Sequence, residues 1–323
     1  MTAFAMLSLS PRPQQQDANL RRLLWRDPGP IAARDLSWSD RRTFKRPVPP
    51  FTFVKEDTSG TRAKVQVKDG AGVRWNVKLA GDKDDTAEVH AEVAAVRLTW
   101  ALGYFVENGY YLENGVIDDV HDLHRAARGL TPDGHFRAAR FKEHRSDTTG
   151  EHWSLRQNPF VGTRELSGLA ILMTMFNNWD VIPENTAVVE ATSGEGSREL
   201  HYLVSDLGAA FGKMADLHFP ISLFTMHSWS NWNLEDYERQ RFIDRVSDGR
   251  LHLHYRGERN LPPVPIDDAR WFAGVVSQLT PKQVRAAFAA AGATPEEVDG
   301  FSQRFLGKVR ELDAVTATPA SSR

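Results

Sequence analysis

Two charged positions in the first third of the sequence could form a buried ion pair. Lys78 stands between Val77 and Leu79 at the end of an alternating segment, so we expect its ammonium group on a rigid strand, free to reach into a cleft. Glu88 and Glu92 follow on a segment with helical spacing and share one helix face. A carboxylate at either position could hold Lys78 in place, and we expect Glu92 to do so, with Glu88 as its rival.

Three further polar side chains, in the second half of the sequence, could handle a proton and a metal ion. Asp180 and Asn185 flank Pro183, which prevents the preceding helix from continuing and makes this segment a loop. One of the two could accept a proton or orient a hydroxyl group while the other offers an oxygen atom to a metal. Asp206 ends an apolar segment just before Gly208, and a carboxylate in that place suits a hard cation such as Mg²⁺.

Each of these residues also has an ordinary structural explanation. Lys78 could lie at a sheet edge with only its ammonium group in water, and the two glutamates could belong to a solvated helix face. Asp180 and Asn185 could be a capping residue and a turn residue, and Asp206 could close an Asx turn. The functional interpretation therefore depends on the order of the whole set along the chain.

The elements that would position these residues are visible in the hydrophobic periodicity. Apolar and polar residues alternate along 51–55, 63–67 and 73–79, and short turns rich in Asp and Gly separate the three segments. This pattern predicts an antiparallel meander of three strands. The period changes to that of a helix over 85–102, the segment that carries both glutamates.

The rest of the chain becomes mainly helical. The predicted elements are strands at 104–112, 135–142, 186–190 and 199–205, and helices at 163–176, 234–246, 267–279, 281–291 and 295–312. The pattern indicates an α+β protein with two lobes, an antiparallel-sheet amino-terminal lobe and a mainly helical carboxyl-terminal lobe, with a ligand expected in the cleft between them. We expect the lobes at 51–145 and 146–315, a partly disordered extension at 1–50 and a disordered tail at 316–323.

The composition excludes several kinds of chemistry. The 323 residues contain 40 Lys plus Arg and 42 Asp plus Glu, a net charge of -2, so we expect no general nucleic-acid binding. The absence of cysteine removes disulfides, thiol nucleophiles and cysteine-ligated metal sites. The longest apolar run, 166–176, is too short and too interrupted to span a bilayer, so no transmembrane segment is expected.

In their order and spacing, the motifs resemble those of the protein-kinase-like superfamily. The segment Trp179–Asn185 is similar to the catalytic loop H-R-D-x-x-P-E-N, and Asp206-Leu207-Gly208 is similar to D-F-G. Asn178-Trp179 replaces His-Arg, however, and no A-P-E follows Gly212. These departures make the chain more similar to atypical branches, namely the phosphoinositide-kinase-like, HipA-like and secreted Golgi-type kinases. Bacterial proteins with N-N-W-D-x-x-x-E-N and S-D-L-G-A share the layout.

The resemblance implies a role for each site residue. Lys78 would bind the α- and β-phosphates of ATP, with Glu92 as its partner on the helix. Asp180 would orient or deprotonate the acceptor hydroxyl group. Asn185 and Asp206 would bind Mg²⁺, so the implied cofactors are ATP and magnesium.

The turn at 57–61 stands where the resemblance places the loop that covers the phosphates. Gly60 is the single glycine of that turn. Backbone contacts to phosphate would therefore be looser there, or would be replaced by contacts from Ser59 and Thr61.

The implied function is an ATP- and Mg²⁺-dependent phosphotransferase with an open acceptor: a protein, a lipid, a sugar or a small molecule. The alternatives are a nucleotide-binding pseudokinase or scaffold without catalysis, an enzyme that transfers a nucleotidyl group, and a structural α+β protein with chance motifs. The last of these predicts that Lys78 and Asp206 lie far apart. An ATP requirement favours the cytoplasm, while a cysteine-free chain is also compatible with export.

Overall fold

The computed structural model describes residues 18–38, 45–81, 83–192, 196–214, 229–255 and 261–317. Within these ranges, a barrel of five strands with one long helix precedes a region in which helices are more frequent, so the predicted α+β class is confirmed. None of the helices in these ranges is long and apolar enough to cross a membrane.

The amino-terminal strands close into a barrel. They are β1 (Phe51–Glu56), β2 (Lys64–Lys68), β3 (Arg74–Leu79), β4 (Gly109–Asp118) and β5 (His135–Glu143), in the order β1-β2-β3-β5-β4. The first three form the predicted antiparallel meander. The predicted antiparallel sheet is corrected in one respect, because Phe51 and Thr52 pair in parallel with Ile117 and Asp118 and so join β1 to β4.

The fourth strand begins later than the sequence pattern indicates. A strand was expected over 104–112, but β4 starts at Gly109. Val106 instead forms an isolated bridge with Val204, far along the chain. The apolar residues before Gly109 are therefore explained by long-range packing rather than by a place in the barrel.

The helix predicted after the meander is present as α1 (Lys83–Ala101). Its apolar side, which includes Val89, Val93 and Val96, is buried, and the helix packs against β3, β4 and β5. Burying an apolar helix face against a sheet is the main source of stability for such an element. This packing brings the acidic side of α1 next to Lys78 on β3.

A buried helix and a hairpin form the centre of the second half. Helix α2 (Arg164–Met175) is capped by the Thr163 hydroxyl, which accepts a hydrogen bond from the Leu166 N–H, and nearly all of its residues are buried. Strands β6 (Thr186–Thr192) and β7 (Arg198–Val204) pair antiparallel. These elements confirm the predicted ones, and residues 193–195 between the two strands lie outside the described residues.

The helix predicted over 234–246 is wrong in its second half. The structure has a short helix α3 (Leu234–Arg239) followed by a small sheet of β8 (Ile243–Ser247), β9 (Arg250–Leu253) and β10 (Val264–Pro265). Asp248 and Gly249 connect β8 to β9 with positive φ angles of 54° and 68°. Two such residues in a row are typical of a tight hairpin turn, which a helix cannot contain.

Three helices complete the described chain: α4 (Ile266–Val276), α5 (Pro281–Ala290) and α6 (Pro295–Ala317). All three lie where the sequence predicted helices. Helix α6 continues through Thr316, whose hydroxyl donates to the Leu312 carbonyl at 2.9 Å, so 316–317 are helical rather than disordered. The remainder of the predicted tail, 318–323, lies outside the described residues.

The described parts of the first 50 residues pack on both halves of the chain. The Arg97 guanidinium of α1 donates to the Leu36 carbonyl at 2.8 Å, and the Gln283 amide of α5 donates to the Ile31 carbonyl at 2.6 Å. Ile31 and Leu36 are both buried. This segment therefore links the barrel's helix to the carboxyl-terminal helices, while 1–17 and 39–44 lie outside the described residues.

Candidate functional site

The structure brings Lys78 together with both candidate glutamates. The Lys78 Nζ donates to Glu88 Oε1 at 2.6 Å and to Glu92 Oε2 at 2.8 Å. Lys78 is only 4% exposed and Glu92 only 3%, so this ion pair is buried between β3 and α1. Both glutamates, and not one of the two, therefore bind Lys78. One ammonium group with three protons can donate to both carboxylates.

The surrounding charges keep Lys78 protonated. Burial alone would lower the pKa of its ammonium group, but the carboxylates of Asp206, Glu92 and Glu88 raise that pKa above the ordinary lysine value. Arg140, which lies opposite Lys78 across the β3–β5 pair, places its Nε 3.3 Å from Glu92 Oε2. Glu92 is therefore shared between two cations, and Lys78 carries a permanent positive charge toward the interior of the molecule.

Asp206 approaches the same ammonium group from the other half of the chain. It follows β7, and its Oδ2 lies 3.6 Å from the Lys78 Nζ. Burial by itself would raise the pKa of Asp206, but Lys78 and a hydrogen bond from the Gly208 N–H (3.1 Å) lower it well below the ordinary value. Asp206 is thus ionised at any pH near neutrality. This short distance excludes the interpretation that placed Lys78 and Asp206 on unrelated surfaces.

Asp180 and Asn185 are held together in the loop after α2. The Asn185 amide nitrogen donates to the Asp180 carbonyl at 2.8 Å and to its carboxylate Oδ2 at 2.9 Å. The Pro183–Asn185 turn of 3₁₀ helix brings Asn185 back toward Asp180, and the Asn185 carbonyl accepts the Ser205 N–H at 3.0 Å. This last bond ties the loop to the end of β7, next to Asp206.

Asp180 sits in an acidic environment. Burial raises the pKa of its carboxyl group, and so do the negative charges of Asp206, Glu88 and Glu184, while the hydrogen bond from Asn185 opposes the change. A raised pKa means that the Asp180 carboxylate binds a proton more readily than an ordinary aspartate does. Such a group is suited to take a proton from a hydroxyl group placed beside it.

One cavity of about 610 Å³ connects these side chains. Residues of β2, β3, α1, the 179–180 loop and the segments around Asp206 and Ser230 line it: Gly60, Thr61, Arg62, Lys64, Lys78, Ala87, Glu88, Trp179, Asp180, Asp206, Ala209, Trp229, Ser230, Asn231, Trp232 and Asn233. Of the eight residues assigned to the site from sequence, five line the cavity. Glu92 lies behind Lys78 and Asn185 behind Asp180, each bonded to the residue in front of it.

Ser59, the remaining assigned residue, does not line the cavity. Its hydroxyl donates to Asp57 Oδ1 at 2.6 Å and accepts from the Lys64 Nζ at 3.1 Å, and its N–H is bonded to Asp57 as well. Ser59 therefore shapes the turn at 57–61 instead of pointing at a ligand. Gly60, with a φ of 66°, takes the left-handed conformation that this tight turn requires.

Two arginines from the long connection between β4 and β5 hold the same turn. Arg125 donates to the carbonyls of Thr58 (3.0 Å) and Gly60, and Arg128 donates to the Thr61 carbonyl at 2.9 Å. Because the arginines engage the turn's carbonyl groups, they restrict how far the turn can move relative to the cleft.

Two features of the cavity wall were only partly visible in the sequence. Trp229 and Trp232 both line the cavity, where the rings of Trp179 and Trp229 stack with their centroids 5.7 Å apart. Arg62 was not singled out at all, although its place directly after the turn at 57–61 was a usable signal. Its Nε lies 2.6 Å from Glu88 Oε2.

A buried lysine, also missed from sequence, supports the loop that carries Asp180. The Lys308 Nζ of α6 donates to Asn177 Oδ1 at 2.6 Å and to the Met175 carbonyl at 2.9 Å. Asn177 has a positive φ of 55° and donates in turn to the Gly212 carbonyl. Burial lowers the pKa of Lys308 well below the ordinary value. Lys308 therefore fixes the point where the chain leaves α2 for the loop.

No protein-family model matches the chain, and no curated protein matches it. Among solved structures, the chain is similar to the proinflammatory kinase CtkA of Helicobacter pylori, with 11% identity, a TM-score of 0.44 and coverage of 84% of this chain and 98% of that one. It is also similar to the Rio2 kinase of Chaetomium thermophilum, solved as an ADP/Mg²⁺-phosphoaspartate complex, with 12% identity, a TM-score of 0.31 and coverage of 80% and 72%. These structural neighbours are kinases, and the activity of this chain has to be inferred from its own side chains.

Proposed function

We propose that this protein is an ATP- and Mg²⁺-dependent phosphotransferase. The observation that carries the proposal is that one cavity holds the Lys78 ammonium group and the carboxylates of Asp180 and Asp206, with Lys78 only 3.6 Å from Asp206. A nucleoside triphosphate carries several negative charges, and its transfer chemistry needs cations at the phosphates together with a group that handles the acceptor's proton. The cavity offers both kinds of group side by side.

Lys78 would bind the phosphates that stay on the nucleotide. Glu92 holds it by an ionic hydrogen bond of 2.8 Å and lies 3.3 Å from the Arg140 Nε as an ion pair, so the ammonium group is positioned before a ligand arrives. Preorganised charge of this kind lowers a barrier because no reorganisation is needed during the reaction.

The residues fit a magnesium ion that is shared with phosphate. The Asp206 carboxylate is ionised and faces the cavity, and no hydrogen bond from the described residues engages the side-chain oxygen of Asn185. Within the described part of the chain, no group of three or more His, Asp or Glu residues could hold a metal ion alone. Mg²⁺ characteristically uses one or two protein oxygens and completes its shell with water and phosphate, and when bound it would neutralise charge on the transferred group.

Asp180 would orient the acceptor hydroxyl group and accept its proton. Its pKa is raised by burial and by neighbouring carboxylates, and Asn185 holds its carboxylate at 2.9 Å. We further propose that 51–145 and 146–315 act as the two lobes of an atypical kinase fold, with the cavity as the cleft between them. The acceptor remains open among a protein, a lipid, a sugar and a small molecule.

A transfer assay with γ-labelled ATP and Mg²⁺ tests the proposal. Asp180→Asn should still bind ATP, because Asp180 does not carry the phosphate-binding charge, but its transfer or hydrolysis of the γ-phosphate should fall by about 10²-fold or more. Glu235→Gln is the matched control, since Glu235 is exposed and pairs with the exposed Arg239 on α3. Full activity of Asp180→Asn would contradict the assignment.

The alternative function is a nucleotide-binding pseudokinase without catalysis. One observation favours it. The Glu88 Oε1 already accepts a hydrogen bond from the Lys78 Nζ at 2.6 Å, and Glu88 lines the cavity where phosphate would lie. This alternative predicts saturable ATP binding by the wild-type protein but no loss of the γ-phosphate to any acceptor, water included. Measuring ATP binding and γ-phosphate transfer on the same protein therefore distinguishes the two functions.

A further inference from the structure

Glu88 bridges two cations at the wall of the cavity. Its Oε1 accepts from the Lys78 Nζ at 2.6 Å, and its Oε2 lies 2.6 Å from the Arg62 Nε. The Glu88 side chain is only 12% exposed and that of Lys78 only 5%, so water screens the bond to Lys78 little, whereas the bond to the more exposed Arg62 is partly open to water. A single carboxylate thus spans from β3 to the segment that follows the turn at 57–61.

The backbone just after Asp206 leaves room for the Glu88 side chain. A Cβ atom on Gly208 would lie 2.4 Å from the Glu88 Cγ, so the absence of a side chain at Gly208 is what makes room for Glu88. Glu92, one helical turn away, holds Lys78 independently at 2.8 Å. Lys78 would therefore keep a positioning partner if Glu88 moved away.

Arg62 directly follows the turn at 57–61, in which the donors of Ser59 are engaged within the turn itself. Gly60 is the single glycine of the turn, and both the N–H and the hydroxyl of Ser59 donate to Asp57 Oδ1. The Arg62 side chain is 36% exposed and lines the cavity. Its guanidinium group offers several N–H donors in a planar arrangement that matches phosphate oxygens.

We propose that Arg62 is a second phosphate-binding residue and that Glu88 occupies the place of the nucleotide's phosphates until the nucleotide binds. The inference rests on the proposed function. On binding, phosphate oxygens replace the Glu88 carboxylate at both Lys78 and Arg62, and no covalent bond changes. Glu88 acts as an internal competitor that sets the affinity and restricts it to ligands with enough phosphate charge to displace a carboxylate from two cations.

The test is the dissociation constant of ATP, ADP and AMP with Mg²⁺, measured by calorimetry for the full chain and its variants. Glu88→Gln removes the competing charge and should bind ATP about tenfold more tightly, the factor expected for one charge-assisted hydrogen bond that no longer has to be broken. AMP, which carries less phosphate charge than ATP and so competes less well with a carboxylate, should gain less affinity than ATP does. Glu92→Gln should instead weaken ATP binding, because it removes the negative charge that positions Lys78.

Arg62→Gln keeps the proposal testable if Glu88→Gln folds poorly, because the Arg62 side chain is partly exposed. It should weaken ATP and ADP binding about tenfold. In the double variant with Glu88→Gln, it should remove part of the increase in ATP affinity that Glu88→Gln alone produces. Glu235→Gln, a charge change on exposed α3, should leave all three constants unchanged.

The possible failures are distinct. If the wild-type protein binds ATP but Glu88→Gln binds it equally or more weakly, or if Arg62→Gln binds it as well as the wild type, the competitor role is wrong and the proposed function stands. If neither the wild-type protein nor any variant binds a nucleotide, the proposed function fails and this inference fails with it.

Discussion

The buried Lys308 offers a demanding test of how the Asp180 loop is positioned. Replacing it with methionine keeps the chain length and most of the volume but removes the donors to Asn177 Oδ1 (2.6 Å) and the Met175 carbonyl (2.9 Å). The Met175 carbonyl still accepts from the Tyr237 hydroxyl at 2.8 Å. Among the described contacts, Asn177 Oδ1 is therefore the acceptor that loses its partner.

The expected loss of stability follows from the missing donor to Asn177 Oδ1. A buried acceptor left without a donor costs about 1–3 kcal/mol, while removal of the buried amine recovers part of the free energy spent in burying it. The balance predicts that Lys308→Met lowers the free energy of unfolding by about 1 kcal/mol. Phosphoryl transfer should fall by about tenfold or more, because small displacements of a catalytic group are costly.

Urea unfolding followed by tryptophan fluorescence measures the first quantity, and a labelled-ATP assay under folding conditions measures the second. Lys282→Met is the matched control, since Lys282 is exposed on α5, and it should change stability by no more than about 0.5 kcal/mol. Lys308→Met with wild-type stability and wild-type transfer would refute the role of Lys308 in positioning the loop.

Two further predictions concern pH. The transfer rate should fall as pH decreases through the raised pKa of Asp180, and Glu184→Gln should move this limb of the pH–rate profile to lower pH, because Glu184 contributes to raising that pKa; an unmoved limb would argue against Asp180 as the titrating group. Burial lowers the pKa of Lys308 in the folded state, so its contribution is fully present above the unfolded lysine pKa of about 10.4 and is lost as pH falls through the folded value. The stability difference between the wild type and Lys308→Met should therefore widen with rising pH, and a constant difference in urea midpoints would contradict this.

The sequence was informative wherever a local pattern determines a local structure. The alternation along β2 and β3 and the helical spacing of α1 were sufficient to place Lys78 and Glu92 on facing elements, 2.8 Å apart in the structure. The loop around Pro183 was predictable because proline cannot continue a helix. Asp180 and Asn185 accordingly lie in one short loop, joined by a hydrogen bond.

Long-range geometry was beyond the sequence pattern. Nothing local indicates that Phe51 pairs with Ile117 and closes the barrel, or that Lys308 of α6 reaches the start of the Asp180 loop. The sequence favoured Glu92 over Glu88 as the partner of Lys78, but residues four apart share a helix face and Lys78 bonds to both.

One error could have been avoided. The helix predicted over 234–246 was extended because apolar residues recur at helical spacing, yet Asp248-Gly249 follows immediately, and Asp-Gly between alternating segments is a strong hairpin signal. The observed β8–β9 hairpin turns at these two residues. Giving turn chemistry priority over periodicity would have ended α3 earlier.

The central claim is that Lys78, Asp180 and Asp206 form one nucleotide site that uses Mg²⁺. Its most direct measurement is ATP binding followed by tryptophan fluorescence with and without Mg²⁺, because Trp179, Trp229 and Trp232 line the same cavity. We predict a saturable change that Mg²⁺ strengthens in the wild-type protein and no longer strengthens in Asp206→Asn. No response to ATP, or an equal response to Mg²⁺ in both proteins, would contradict the claim.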